Sequence, residues 1–176
     1  MTNNKGRSKV LNCMFWGMFI FYLFMALDIL FLRSGLNNSS INLIPFKSIS
    51  EGINVYDGIR YKLVSPQVWG NVLMFVPAGV YMMIFNKKDS RFKAFISIVI
   101  ISVFIETIQY VLAGGVTDID DVILNSFGGL IGIIIYSLLK MIFKTQERTK
   151  TAVAWVSSIV GVPVLIIAII IFYVNF

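Results

Sequence analysis

The sequence predicts an all-α integral membrane protein of five transmembrane helices, with the N-terminus cytoplasmic, the C-terminus extracellular and a long outer loop between helices 1 and 2. Three observations carry that prediction. Of 176 residues, 57% are hydrophobic and 14% charged, whereas a soluble domain needs roughly a quarter charged to coat its surface. Apolar runs of spanning length recur at residues 10–32, 67–85, 92–112, 119–143 and 152–174. Basic residues gather in alternate connections: Lys5, Arg7 and Lys9; then Lys87, Lys88, Arg91 and Lys93; then Lys140, Lys144, Arg148 and Lys150. That leaves four, Arg33, Lys47, Arg60 and Lys62, on the opposite side against eleven on this one. The positive-inside bias makes the richer side cytoplasmic. Spans and short connections use up the length, so residues 1–176 read as a single membrane domain.

Composition also excludes chemistry. The net charge of +6 is a topology signal, and nucleic acid is not an expected partner. Cys13 is the sole cysteine, which rules out an intrachain disulfide. Histidine is absent, removing His-based acid–base catalysis, His metal ligation and Ser-His triads together.

The elements follow in order. The run at 10–32 is too long for a signal-peptide core and has no small-residue cleavage site, so it is expected to be a retained span. Asp28 near its end and Arg33 just beyond form a snorkelling pair, or else Asp28 faces a site. Residues 34–66 are the only long polar segment; Pro45 interrupts any helix there, and an interfacial or partly re-entrant loop is expected. The second span contains Pro77, which a helical bundle tolerates. The third carries Ser102, Glu106 and Gln109 on one face. Residues 113–117, with Gly114 and Gly115, form a tight turn. The fifth span has no ionisable group and reads as a packing helix.

The fourth span is the centre of the sequence. Asp118, Asp120 and Asp121 stand at its mouth, and charge this close to hydrocarbon is expensive. Asp121, Asn125, Gly128 and Gly132 recur at four, three and four residues, one stripe of a helix. It is polar at one end and small along the rest, a surface suited to close helix contact. With the N-terminus inside, Asn71, Glu106, Gln109, Asp118, Asp120, Asp121 and Asn125 all fall in the outer half. They predict an outward acidic pocket. The bland alternative makes Asp120 the N-cap of span four and the other aspartates partners of the helix dipole. It leaves Glu106 needing a partner, for which Arg60 or a proton shared with Asp121 would serve.

The same residues carry a family resemblance. Asn42-Leu-Ile-Pro-Phe46, Gly70-Asn-Val-Leu-Met-Phe-Val-Pro-Ala-Gly79, Glu106-x-x-Gln109 and Asp118-Ile-Asp-Asp-Val-Ile-Leu-Asn-x-x-Gly-Gly129 resemble the VanZ-like family, in order, across spans one to four. The resemblance implies a membrane protein of the cytoplasmic membrane in Gram-positive bacteria, whose namesake is associated with low-level resistance to the glycopeptide teicoplanin. It implies no reaction. Where the family pattern often has an arginine just before Asp-x-Asp-Asp, this chain has Gly115, Val116 and Thr117. The countercharge then falls to Arg60, Lys47 or a metal ion.

Three functions compete. A resistance or interaction protein binds an envelope lipid or a lipoglycopeptide in the outer pocket; phosphate recognition there needs Mg²⁺ or Ca²⁺, or basic loop residues, because carboxylates repel phosphate. A membrane enzyme would use Glu106 and Asp121 as acid and base, or hold a metal on Asp118, Asp120 and Asp121. A transporter ranks last, since no ionisable group continues to the cytoplasmic half of the spans. The first reading is preferred. Oligomeric state is left open.

Overall fold

The computed structural model describes residues 2–32, 41–56, 61–64, 66–86, 88–113 and 117–175. In chain order the elements are α1 (Thr2–Leu32), β1 (Ile41–Asn42), α2 (Lys47–Gly52), β2 (Ile53–Tyr56), β3 (Tyr61–Val64), α3 (Pro66–Phe85), α4 (Arg91–Ala113), β4 (Thr117–Asp118), α5 (Ile119–Phe143) and α6 (Gln146–Asn175). Among the described residues, five helices are long and apolar enough to cross a membrane, over Lys9–Asp28, Pro66–Phe85, Arg91–Val111, Ile119–Phe143 and Gln146–Ile170.

Helix boundaries follow local chemistry. Pro66 opens α3, where its missing N–H is no loss, and α3 continues through Pro77. Ser90 caps α4, its Oγ accepting from Lys93 N at 3.3 Å. Lys144 takes a left-handed φ of 63° just past α5, and Thr145 Oγ1 accepts from Arg148 N at 3.3 Å to start α6. That cap begins α6 six residues before the apolar run suggests. The tight turn expected at 113–117 falls largely outside the described residues.

Contacts cluster into two compact units, Asp28–Ser137 and a second of Met1–Leu27 with Leu138–Phe176. In the first, α5 is the axis. A Cβ on Gly128 or Gly132 would strike the backbone carbonyl of Val72 or Val76, and one on Gly79 that of Gly129. Contacts advance together along both chains, so α3 and α5 are parallel and touch backbone to backbone. This is the close approach that the small-residue stripe foretells. Against α4, a Cβ on Gly129 would strike the Ile98 side chain, and Asn125 Nδ2 donates to Ser102 Oγ at 3.0 Å. Those pairs run oppositely, so α4 and α5 are antiparallel. Ile100, Phe104, Phe127 and Ile134 are exposed on the outer faces, as a lipid environment allows.

The sheets are the departure from an all-helical expectation. β2 and β3 form an antiparallel pair, Ile53 opposite Val64 and Tyr56 opposite Tyr61. β1 pairs in parallel with β4, Ile41 with Thr117 and Asn42 with Asp118. The polar segment is thus built, and tied to the start of α5.

In the second unit α1 packs on α6. Lys150 Nζ donates to Asn12 Oδ1 at 3.0 Å and lies 4.6 Å from the centre of the buried Phe15 ring, a cation–π contact. Farther along, a Cβ on Gly161 would come within 2.9 Å of Met18 Sδ.

The glycine contacts give a prediction. Gly132→Ala should destabilise the protein by about 1–3 kcal/mol, the usual cost of overpacking, measured by denaturant unfolding in detergent. Gly70→Ala, with nothing within 4 Å of the added methyl, should be neutral or slightly stabilising.

Candidate functional site

Asp118 and Asp120 flank the first residue of α5, and their side chains go to different tasks. Asp118 Oδ1 accepts from Asp120 N at 2.9 Å, so Asp118 is the N-cap of α5. The same oxygen accepts from Asn42 Nδ2 at 3.1 Å. Asp120, 0% exposed, reaches the other chain segment: its Oδ1 accepts from Phe46 N at 2.5 Å and its Oδ2 from Ile49 N at 3.0 Å. Those amides belong to the start of α2, so Asp120 caps α2 rather than its own helix. The cap assignment made from sequence is off by two residues, and the reason is that the second helix is invisible to hydropathy.

Residues 42–49 are thereby clamped from several directions. Asn42 Nδ2 also lies 3.0 Å from Ser48 Oγ, and Asn42 Oδ1 accepts from Ile44 N at 3.2 Å, an Asx turn. Phe46 has a φ of 65°, an uncommon conformation for a bulky residue that costs on the order of 1–3 kcal/mol. Leu43, Ile44 and Phe46 remain 66%, 62% and 61% exposed. Three apolar side chains are presented outward by a buried polar clamp. Asn42 and Ser48 are the members of this assembly that residue chemistry alone did not single out; Asn42 stands in the family-like motif, and its polar head beside Pro45 is the available signal.

Asp121 takes a third direction and accepts from Asn71 Nδ2 of α3. Asn71 is 2% exposed and Asn125 1%. Ile98 with Gly129 and Ser102 with Asn125 set the register of α4 on α5; one turn on, Glu106 stands level with Asp121. Glu106 is 4% exposed, and Gln109 is half-buried. Asn71, Ser102, Asn125, Glu106 and Asp121 thus form a polar string among α3, α4 and α5. Arg60 lies outside the described residues. Asp28 is exposed on α1.

For a divalent cation the donor set is divergent. Among the described residues no three or more Asp, Glu, Cys or His side chains are grouped so as to hold a metal ion. Asp118, Asp120 and Asp121 each address a different protein donor. The N–H groups of Phe46, Ile49, Asp120 and Asn42 solvate the two buried carboxylates.

A family model described as VanZ/LLP1 matches residues 10–144, which takes in every residue of the clamp and the polar string. The chain belongs to the VanZ/LLP1 family. Five apolar helices and this membership make it a multi-pass membrane protein. It is 31% identical over 99 residues to Protein VanZ of Enterococcus faecium, a match covering 56% of this chain and 53% of that one. The chain thus spans about half the length of that curated relative. No solved structure matches.

The clamp is testable. Asp120→Asn keeps the shape but turns one acceptor into a donor facing backbone N–H. Hydrogen bonds to a charged group contribute about 1.5–3 kcal/mol, so amide exchange at Phe46 and Ile49 should accelerate by about 10- to 100-fold. Exchange unchanged at both amides would contradict the assignment.

Proposed function

We propose that this VanZ/LLP1 protein resides in the bacterial cytoplasmic membrane, N-terminus inside, and protects against teicoplanin-type glycopeptides. It acts by binding a lipid group at the outer face, either of an envelope lipid or of the lipoglycopeptide itself. One observation carries the reading: buried Asp118 and Asp120 hold residues 42–49 so that Leu43, Ile44 and Phe46 stay exposed. Apolar side chains left alone turn inward. Holding three of them outward, at the price of a left-handed Phe46, serves contact with an apolar partner. The eleven-to-four distribution of basic residues supports placing this end of α5 outside. Asp121 and Glu106 belong to the same end of the bundle and supply the acidic character suited to a cationic drug moiety. The likeness to Protein VanZ supports the resistance role.

The reading predicts discrimination by acylation. Phe46→Ser removes a contact of about 1.5–3 kcal/mol, so at matched membrane levels protection against teicoplanin should fall roughly tenfold or more. Glu106→Gln and Asp121→Asn should also reduce it, and protection against a glycopeptide lacking an acyl chain should be weak throughout. If all three variants protect as well as the wild type, the site lies elsewhere.

A further inference from the structure

The unit of Met1–Leu27 with Leu138–Phe176 holds a surface that the clamp does not use. An open groove of about 540 Å³ is lined by Phe143 of α5 and by the first turns of α6. Two rows of α6 side chains contribute to it, Glu147, Thr151 and Trp155 in one, Arg148, Ala152 and Val156 in the other. Each row repeats at four residues, so the rows are neighbouring ridges with a furrow between them. Another helix packs into a surface of this kind, ridge into furrow.

The rows change character in step. Glu147 and Arg148 are exposed and consecutive, about 1.5 Å apart along the helix axis. Their backbones are engaged: Arg148 N donates to Thr145 Oγ1, and Glu147 O accepts from Thr151 Oγ1 at 2.9 Å. Among the described residues the two charged side chains themselves have no partner. One turn on stand the small Ala152 and Thr151, whose hydroxyl is already bonded to Glu147. Trp155 and Val156 follow, 51% and 55% exposed, and Ile159 and Val160, 69% and 62% exposed, extend both rows.

We propose that this face is the contact surface of a homodimer, a second copy of the chain packing its own α6 into the furrow. Copies inserted the same way in a membrane are related by a two-fold axis along its normal, so each side chain meets the partner helix at its own depth. An acid and a base on consecutive positions are then complementary to themselves: Glu147 reaches the partner's Arg148, and Arg148 reaches the partner's Glu147. A singly charged headgroup of either sign would meet one like charge here. Thr151 and Ala152 let the backbones approach at the crossing point, and Arg148 and Trp155 are of the types that dominate association energy. The exposed apolar face of α4 around Ile100 and Phe104 carries no such charge pair, and lipid suffices to cover it.

The test is resonance energy transfer between donor- and acceptor-labelled copies of the full chain in vesicles of phosphatidylethanolamine and phosphatidylglycerol, followed as added lipid dilutes the protein. The wild type should show transfer above the level of random encounter, falling with dilution along one monomer–dimer curve. Arg148→Glu and Glu147→Arg each replace two attractive contacts by like charges and should weaken association about tenfold. The variant carrying both exchanges again sets an acid beside a base, and should associate within about threefold of the wild type. A charge needed only for folding or for lipid contact would not be rescued in this way. Trp155→Ala, which removes the largest apolar side chain of the face, should weaken association about 30-fold. Transfer at the random level in the wild type, which would leave the groove to lipid, overturns the proposal. So do single charge variants or Trp155→Ala associating as the wild type does, and a double variant no better than the single ones.

Discussion

Asp120 has no solvent-exposed surface, and a carboxylate removed from water must be solvated by protein donors. Its two oxygens take the amides of Phe46 and Ile49, and much else in the Asp28–Ser137 unit depends on that choice. It makes the start of α5 the anchor for a segment more than 70 positions earlier in the chain. It satisfies the N–H of Phe46, just before α2, and that of Ile49 within it; at six residues α2 is too short to stand alone. It also leaves Asp118 to cap α5 and to bind Asn42. The acidic run is a junction, with each carboxylate turned to a different neighbour.

Such a junction is only as firm as the helix that carries it. α5 is fixed by backbone contact with α3 at Gly79, Gly128 and Gly132, and by Ile98 of α4 seated over Gly129. In lipid, where apolar burial gives little drive for helix association, close packing and interhelical hydrogen bonds take over. Asn71 to Asp121 and Asn125 to Ser102 supply two of the latter. The small residues and the polar residues of α5 are thus one device: the first bring the neighbours close, and the second fix their register. At the end of that device the clamped segment leaves Leu43, Ile44 and Phe46 exposed.

Much of this was legible in the sequence. The five spans follow from hydropathy and length, and the stripe of Asp121, Asn125, Gly128 and Gly132 was correctly read as a contact face because helical spacing is a one-dimensional property. What was illegible was long-range. β1 and β4 are two residues each and pair across the chain, leaving no periodicity to detect. Asp120 looked like the cap of its own helix because α2 is short and polar, and nothing local says that a distant helix needs a cap. Nor does anything local say that N–H groups of Asn42, Phe46 and Ile49 will reach the carboxylates of Asp118 and Asp120.

The central claim is that the acidic start of α5 holds residues 42–49, and a double-mutant cycle between Asn42 and Asp118 tests it most directly. Asn42→Ala, Asp118→Ala and the double variant would be unfolded by denaturant in detergent. A direct contact predicts a coupling of about 0.5–3 kcal/mol. Effects that simply add, within about 0.5 kcal/mol, would mean that the two side chains act independently and that the clamp does not exist.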